Sequence, residues 1–224
     1  GWRIVLRADC WPVSGRTRLV LVRHGRTSYN VQGRLQGRLD IDLDEVGRRQ
    51  VAATAPVIAA MEPAAVLSSP LQRARHTAEA IASAAGVSVR EDERLVEIDV
   101  GVWSGEKASQ LRRNDPTYAA GMTARDDYVR PGGESAGEVA ERIIAVCADA
   151  VGEHAGQTVV LVSHGFALRT AAAYLMGGDY AASRQFGGLA NCGWIVLDHL
   201  DAEERQRRGF TSPWRLMAYN ATVS

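Results

Sequence analysis

Leu19-Val20-Leu21-Val22-Arg23-His24-Gly25 and Thr158-Val159-Val160-Leu161-Val162-Ser163-His164-Gly165 are the stretches that decide the fold. Each is a continuous apolar run that stops at a His-Gly pair. A run with no polar alternation belongs to a strand covered on both faces, and such strands occur in parallel sheets flanked by helices. Ala64 to Ser68 forms a third short run, ending in Ser69-Pro70, with Arg73 close behind. Ser69 and Pro70 are expected to supply the N-cap and first turn of a helix ending near Gly86.

Working outward, the runs alternate with Ala-rich segments of helical spacing. Asp44 can cap a helix reaching about Met61, which Pro56 should kink or shorten. Further helices are expected near 104–112, 116–124, 135–152 and 166–176. Brief extended segments are expected over 87–90 and 94–98, and late strands over 194–197 and 214–219. The charged stretch 201–209 reads as a solvated loop at a hairpin tip. No repeat and no long linker divides the chain. Residues 1–16 read as an N-terminal extension and 17–224 as a single α/β domain.

Composition narrows the function classes. The chain has 224 residues, 46% hydrophobic and 23% charged, which is ordinary globular composition. Lys plus Arg and Asp plus Glu are both 26, so the formal net charge is zero. That removes the strongest cue for a nucleic-acid or membrane-surface partner. Lys107 is the single lysine, so a bound anion should meet guanidinium forks. Cys10, Cys147 and Cys192 are odd in number and widely spaced, which argues against a disulfide framework or zinc site and for a cytoplasmic setting. No apolar run approaches the roughly 18 residues of a membrane span.

In an open α/β sheet, ligands bind beyond the carboxyl ends of the strands. Three strand ends could therefore share one cleft holding His24, His164, Arg23, Arg73 and a helix N-terminus. That set suits an oxyanion such as a phosphate. A metal site built on His24 and His164 is the rival chemistry, but no HxH cluster or nearby carboxylate accompanies it. No metal and no cofactor is expected.

These residues carry a resemblance. Arg23-His24-Gly25-Arg26-Thr27, with Asn30 and Gln36-Gly37 behind it, resembles the RHG signature of the histidine phosphatase superfamily, which includes the cofactor-dependent phosphoglycerate mutases. Ser68 to Ala78 is similar to the family's second arginine motif, and Leu95 to Gly105, with Glu97, to its acid motif. Pro131-Gly132-Gly133-Glu134-Ser135 and Val162-Ser163-His164-Gly165 complete the set in family order. The resemblance implies a phosphoglycerate mutase-like fold, a three-layer α/β/α sandwich on a mostly parallel central sheet.

It also implies roles. His24 is the expected nucleophile, forming a phosphohistidine. Arg23, Arg73 and His164 are expected to hold the phosphoryl oxygens. Glu97 is the expected general acid and base. Asn30, Gln36, Gly37 and Gly165 are expected to touch substrate. Only 66 residues separate Glu97 from His164, too few for the insertion that mutases carry, so a phosphomonoester phosphatase is favoured over a mutase. Residues 187–194 and 214–221 resemble the glucosyl-3-phosphoglycerate phosphatases of actinobacteria. That points to a small phosphate ester of the phosphoglycerate type, with a broad sugar-phosphate phosphatase or a non-catalytic phospholigand binder as alternatives. Pairing into a homodimer stays open. The cavity mouth is expected from the segment 100–130, with Trp103, Arg112, Arg113, Tyr118, Arg125 and Tyr128 on it.

Overall fold

A computed structural model describes residues 16–223. Cys10 and the expected N-terminal extension, apart from Arg16, lie outside the described residues. The elements in chain order are β1 (Arg16–Arg23), α1 (Ser28–Gln32), α2 (Glu45–Ala59), β2 (Ala65–Ser68), α3 (Gln72–Ala85) and β3 (Val89–Glu91). They continue as α4 (Ala108–Asn114), α5 (Pro116–Thr123), α6 (Ala136–Glu153), β4 (Thr158–Ser163), α7 (Gly165–Leu175) and α8 (Tyr180–Ser183). The chain closes with β5 (Trp194–Leu200), α9 (Ala202–Arg208) and β6 (Trp214–Ala221).

Six strands form one mixed sheet in the order β3-β2-β4-β1-β5-β6. The first four run parallel, and β5 pairs antiparallel with both β1 and β6. Side chains alternate across a strand. Leu19, Leu21, Val159 and Leu161 therefore face one way, onto Ile143 and Val146 of α6 and Leu168 and Ala171 of α7. Val20, Val22, Val160 and Val162 face the other way, onto Ile58 of α2 and Ala74, Ala78 and Ile81 of α3. Both faces are covered, which is why the runs carry no polar alternation. This is the three-layer α/β/α arrangement.

Register sets the site. Arg23 lies opposite Ser163 in the parallel pairing of β1 with β4, and His24 N–H donates to the Ser163 carbonyl at 3.1 Å. Ser68 lies opposite Val162, and Ser69 N–H donates to its carbonyl at 2.9 Å. Three neighbouring strands thus release their loops at one level.

The structure departs from the sequence expectations in three places, at Ser69, at 94–98 and at 201–209. Ser69 does not cap α3, which starts at Gln72 after Leu71. Its hydroxyl lies instead 2.9 Å from His164 Nε2, and Asp40 accepts the Gln72 N–H at 2.7 Å. The segment at 94–98 is not a strand. Glu93–Leu95 is a 3₁₀ turn, and Arg142 Nη1 takes the Arg94 and Val96 carbonyls at 2.7 and 2.6 Å, leaving no ladder to form. The stretch expected as a loop at 201–209 is helix α9. Asp201 caps it, Glu203 and Glu204 sit in its first turn, and Arg205, Arg207 and Arg208 in its last, all favourable to the helix dipole. The helix containing Pro56 closes at Ala59, two residues before Met61. Among the described residues no helix is long and apolar enough to cross a membrane.

Candidate active site

His24 follows the last residue of β1 and is 2% exposed. Its Nδ1 lies 2.7 Å from the Gly25 carbonyl oxygen. A carbonyl only accepts, so Nδ1 carries the proton and Nε2 keeps a free lone pair. Burial, then the charges of Arg73 and Arg23, hold the imidazole well below the ordinary histidine range. It is neutral and basic at one defined nitrogen. The His24 carbonyl is anchored by Asn191 Nδ2 at 3.2 Å and by the Cys192 N–H at 3.2 Å.

His164 lies beneath it. The two rings are 5.1 Å apart and tilted by 60°. Arg73 Nε donates to His164 Nδ1 at 3.2 Å, so the His164 proton sits on Nε2, which points at Ser69 Oγ. Burial, then Arg73, His24 and Arg23, keep this ring neutral also. Arg73 itself is fully buried, and its other nitrogens donate to Leu39 O at 2.6 Å and Gly37 O at 2.8 Å. Burial brings its pKa down to about 10. Gly37 must be glycine: its φ is +49°, and a Cβ would come within 2.8 Å of Val100.

Arg23 donates from Nη1 to the Leu189 carbonyl. Its Nε is buried with no hydrogen-bond partner among the described residues. A buried donor left unpaired is costly, and an incoming oxyanion would satisfy it. Gly165 admits this side chain, since a Cβ there would sit 3.1 Å from Arg23 Nε.

Glu97 binds the start of α7. Its Oε1 accepts from Ile98 and Ala167 N–H at 2.9 and 3.0 Å, and Oε2 accepts from Phe166 N–H at 3.2 Å. The more lightly used Oε2 has room for a proton. The helix N-terminus expected to meet an anion is thus already taken by this carboxylate, as that of α3 is by Asp40. Asn30 closes a capping box with Thr27. Its Oδ1 accepts from Thr27 N–H at 3.0 Å and Asn191 Nδ2 at 3.1 Å, which leaves its amide N–H groups for the cavity. Gln36 Oε1 lies 3.0 Å from Thr27 Oγ1.

One cavity of about 490 Å³ collects these groups. Arg23, His24, Asn30, Gln36, Gly37, Arg73, Glu97 and Gly165 all line it, while His164 lies under the floor. Trp103, Tyr118 and Tyr128 form part of its mouth as expected. Arg112, Arg113 and Arg125 are exposed and do not line it. Its further arginines are Arg34, Arg130, Arg169 and Arg184, so six arginines face one carboxylate, Glu97. Sequence reasoning missed Arg169, although a charge in the otherwise apolar helix Gly165–Leu175, one turn after the His-Gly pair, is a readable signal. It also missed Arg130, which sits directly before Pro131-Gly132-Gly133. No cluster of three metal-ligating side chains occurs among the described residues.

The chain is 35% identical to a glucosyl-3-phosphoglycerate phosphatase of Mycolicibacterium vanbaalenii, over 92% of this chain and 95% of that one. It is 34% identical to phosphoserine phosphatase 1 of Hydrogenobacter thermophilus, over 84% of this chain and 88% of that one. The structure of a mycobacterial glucosyl-3-phosphoglycerate phosphatase complexed with VO3 superposes with a TM-score of 0.82 at 35% identity, covering 92% of this chain and 99% of that one. Residues 19–209 match branch 1 of the histidine phosphatase superfamily, and the chain belongs to that superfamily.

Proposed function

We propose that this histidine phosphatase hydrolyses a phosphoglycerate-type monoester, with glucosyl-3-phosphoglycerate as its preferred substrate. The observation that carries the reading is the fixed tautomer of His24, set among Arg23, Arg73 and Glu97 in one cavity. His24 Nε2 attacks phosphorus in line, and the bond from phosphorus to the ester oxygen breaks. Glu97, entering protonated, gives its proton to that oxygen, and the alcohol leaves. The phosphoryl oxygens meet the free Arg23 Nε and the Arg73 guanidinium, which offset their charge. Arg73 fixes the proton of His164 on Nε2, and that N–H is the further donor the phosphoryl oxygens can share with Ser69 Oγ. Water then attacks the phosphohistidine, Glu97 takes the water proton, and phosphate departs. The cavity's own guanidiniums supply the charge that a metal ion supplies elsewhere. The setting is the cytoplasm, where the buried free thiols of Cys147 and Cys192 stay reduced.

The relatives named after glucosyl-3-phosphoglycerate and phosphoserine share a phosphate and a carboxylate in one small molecule. Tyr118, Tyr128 and Tyr180 at the mouth add flat surfaces for a sugar ring. A panel of glucosyl-3-phosphoglycerate, 3-phosphoglycerate, phosphoserine and glucose 6-phosphate tests the reading by released phosphate. The first should lead in kcat/KM by about 100-fold over 3-phosphoglycerate, the scale of a few extra transition-state contacts. Preference for phosphoserine or a simple sugar phosphate would overturn the substrate assignment.

A further inference from the structure

Phe166 carries two guanidiniums on one ring. Arg130 Cζ lies 4.8 Å from its centroid and Arg169 Cζ 5.3 Å. Arg130 also lies 5.1 Å from the Tyr128 ring and is only 7% exposed. All four side chains line the cavity. Ring faces attract cations, which explains the stacking. They do not neutralise charge, however, and two cations sharing one ring repel each other. Arg130 uses Nη1 on the Glu134 carbonyl at 3.0 Å. Arg169 Nε is buried with no hydrogen-bond partner among the described residues. By contrast, Arg49 and Arg90 on the surface meet Glu45 at 2.7 Å and Glu153 at 2.8 Å.

The charge count sharpens the point. A phosphate dianion is matched by Arg23 and Arg73. Besides Glu97 no carboxylate lines the cavity; Arg34 and Arg184 spend their forks on the Gly105, Ala124 and Met122 carbonyls, which leaves Arg130 and Arg169 facing the cavity as a pair without an anion. A cavity built for a phosphate ester of a neutral alcohol has no use for this second pair. We propose that Arg130 and Arg169, stacked on Phe166, form a second anion subsite that reads a carboxylate carried by the substrate alongside its phosphate. Two carboxylate oxygens match guanidinium forks, and the bond is strongest where water is excluded. Phe166 is also the residue whose N–H holds Glu97 Oε2, so the carboxylate subsite and the acid share one turn of backbone. This inference rests on the phosphatase reading and specifies which side chains choose its substrates.

The test compares 3-phosphoglycerate with glycerol 3-phosphate, in which a hydroxymethyl group replaces the carboxylate. Binding is measured by calorimetry to the His24→Ala protein, where turnover does not consume the ligand. The carboxylate compound should bind about 10- to 100-fold more tightly, the range of charge-assisted hydrogen bonds. Adding Arg169→Met or Arg130→Met should bring the ratio to within about threefold of unity, and Arg169→Lys should retain part of it. A purely structural role would weaken both ligands equally and leave the ratio intact, which overturns the assignment. So does a ratio near unity in His24→Ala alone, a result that needs no Met variant to fold. Failure of glucosyl-3-phosphoglycerate to lead the hydrolysis panel, with the binding ratio intact, sinks the sugar assignment and leaves the carboxylate subsite standing.

Discussion

Arg73 Nε donates to His164 Nδ1 at 3.2 Å, and this one bond decides which nitrogen of His164 holds its proton. Arginine has no acceptor and keeps its charge, so Nδ1 must be the lone-pair nitrogen and Nε2 the donor. Residues 91 positions apart are thereby coupled, one at the start of α3 and one between β4 and α7.

That coupling makes the pair act as a unit. Arg73→Lys keeps a charge but cannot bond His164, Leu39 and Gly37 in one plane. His164→Ala removes the acceptor. Each change should lower kcat/KM by about 100-fold or more, and the double variant should lose little beyond the worse single one. Steady-state kinetics on p-nitrophenyl phosphate checks this. Fully multiplicative losses would show that the two residues work separately.

His24 should become phosphorylated during turnover. Quenching with denaturant at neutral or alkaline pH and digesting the chain should trap a base-stable, acid-labile phosphoryl group on the peptide carrying His24. The trap should work equally in excess EDTA, because Arg23 and Arg73 provide the local charge. His24→Ala should lose several orders of magnitude in kcat. Activity abolished by EDTA and restored by one divalent ion would revive metal chemistry.

Glu97→Gln keeps the shape of the side chain but cannot exchange a proton. Its loss in kcat should be about 100-fold or more for 3-phosphoglycerate, whose alkoxide is a poor leaving group. It should be clearly smaller for p-nitrophenyl phosphate, whose phenolate needs little protonation. Equal losses for both would mean that Glu97 serves to hold the Phe166 and Ala167 N–H groups.

Folding should weaken as pH falls from 7 toward 5. Burial, with Arg73 close by, keeps His24 and His164 neutral well below the ordinary histidine range. The unfolded chain protonates both as pH drops through about 6.5, while the folded protein does not. The unfolded state then binds more protons, so the free energy of unfolding decreases with falling pH. Two such groups give a limiting slope of about 2.7 kcal/mol per pH unit, and His199, lowered by its own burial, acts in the same direction. Urea titrations at pH 7, 6 and 5 measure the slope, and a flat profile would contradict two buried neutral histidines. Carboxylates ordinarily titrate below this window.

What the sequence alone determined was local or periodic. The unbroken apolar runs of β1 and β4 require cover on both sheet faces, and the His-Gly pairs mark where those strands end. Parallel pairing then places His24 and His164 at one edge, so the core of the cleft was legible before any coordinates. Tertiary structure decided whatever depended on partners far along the chain. Ser69 lost its capping role to a contact with His164, 95 positions away. Segment 94–98 lost its ladder to Arg142, and Glu97 found its donors on α7, some 70 positions later. The further arginines of the cavity turned out to be Arg34, Arg130, Arg169 and Arg184 rather than Arg112, Arg113 and Arg125. Charge type and helical spacing say that an arginine occupies a helix face. Which face meets a cavity is fixed only when α6 and α7 pack on the sheet, because burial is a property of neighbours that the periodicity of one segment cannot name.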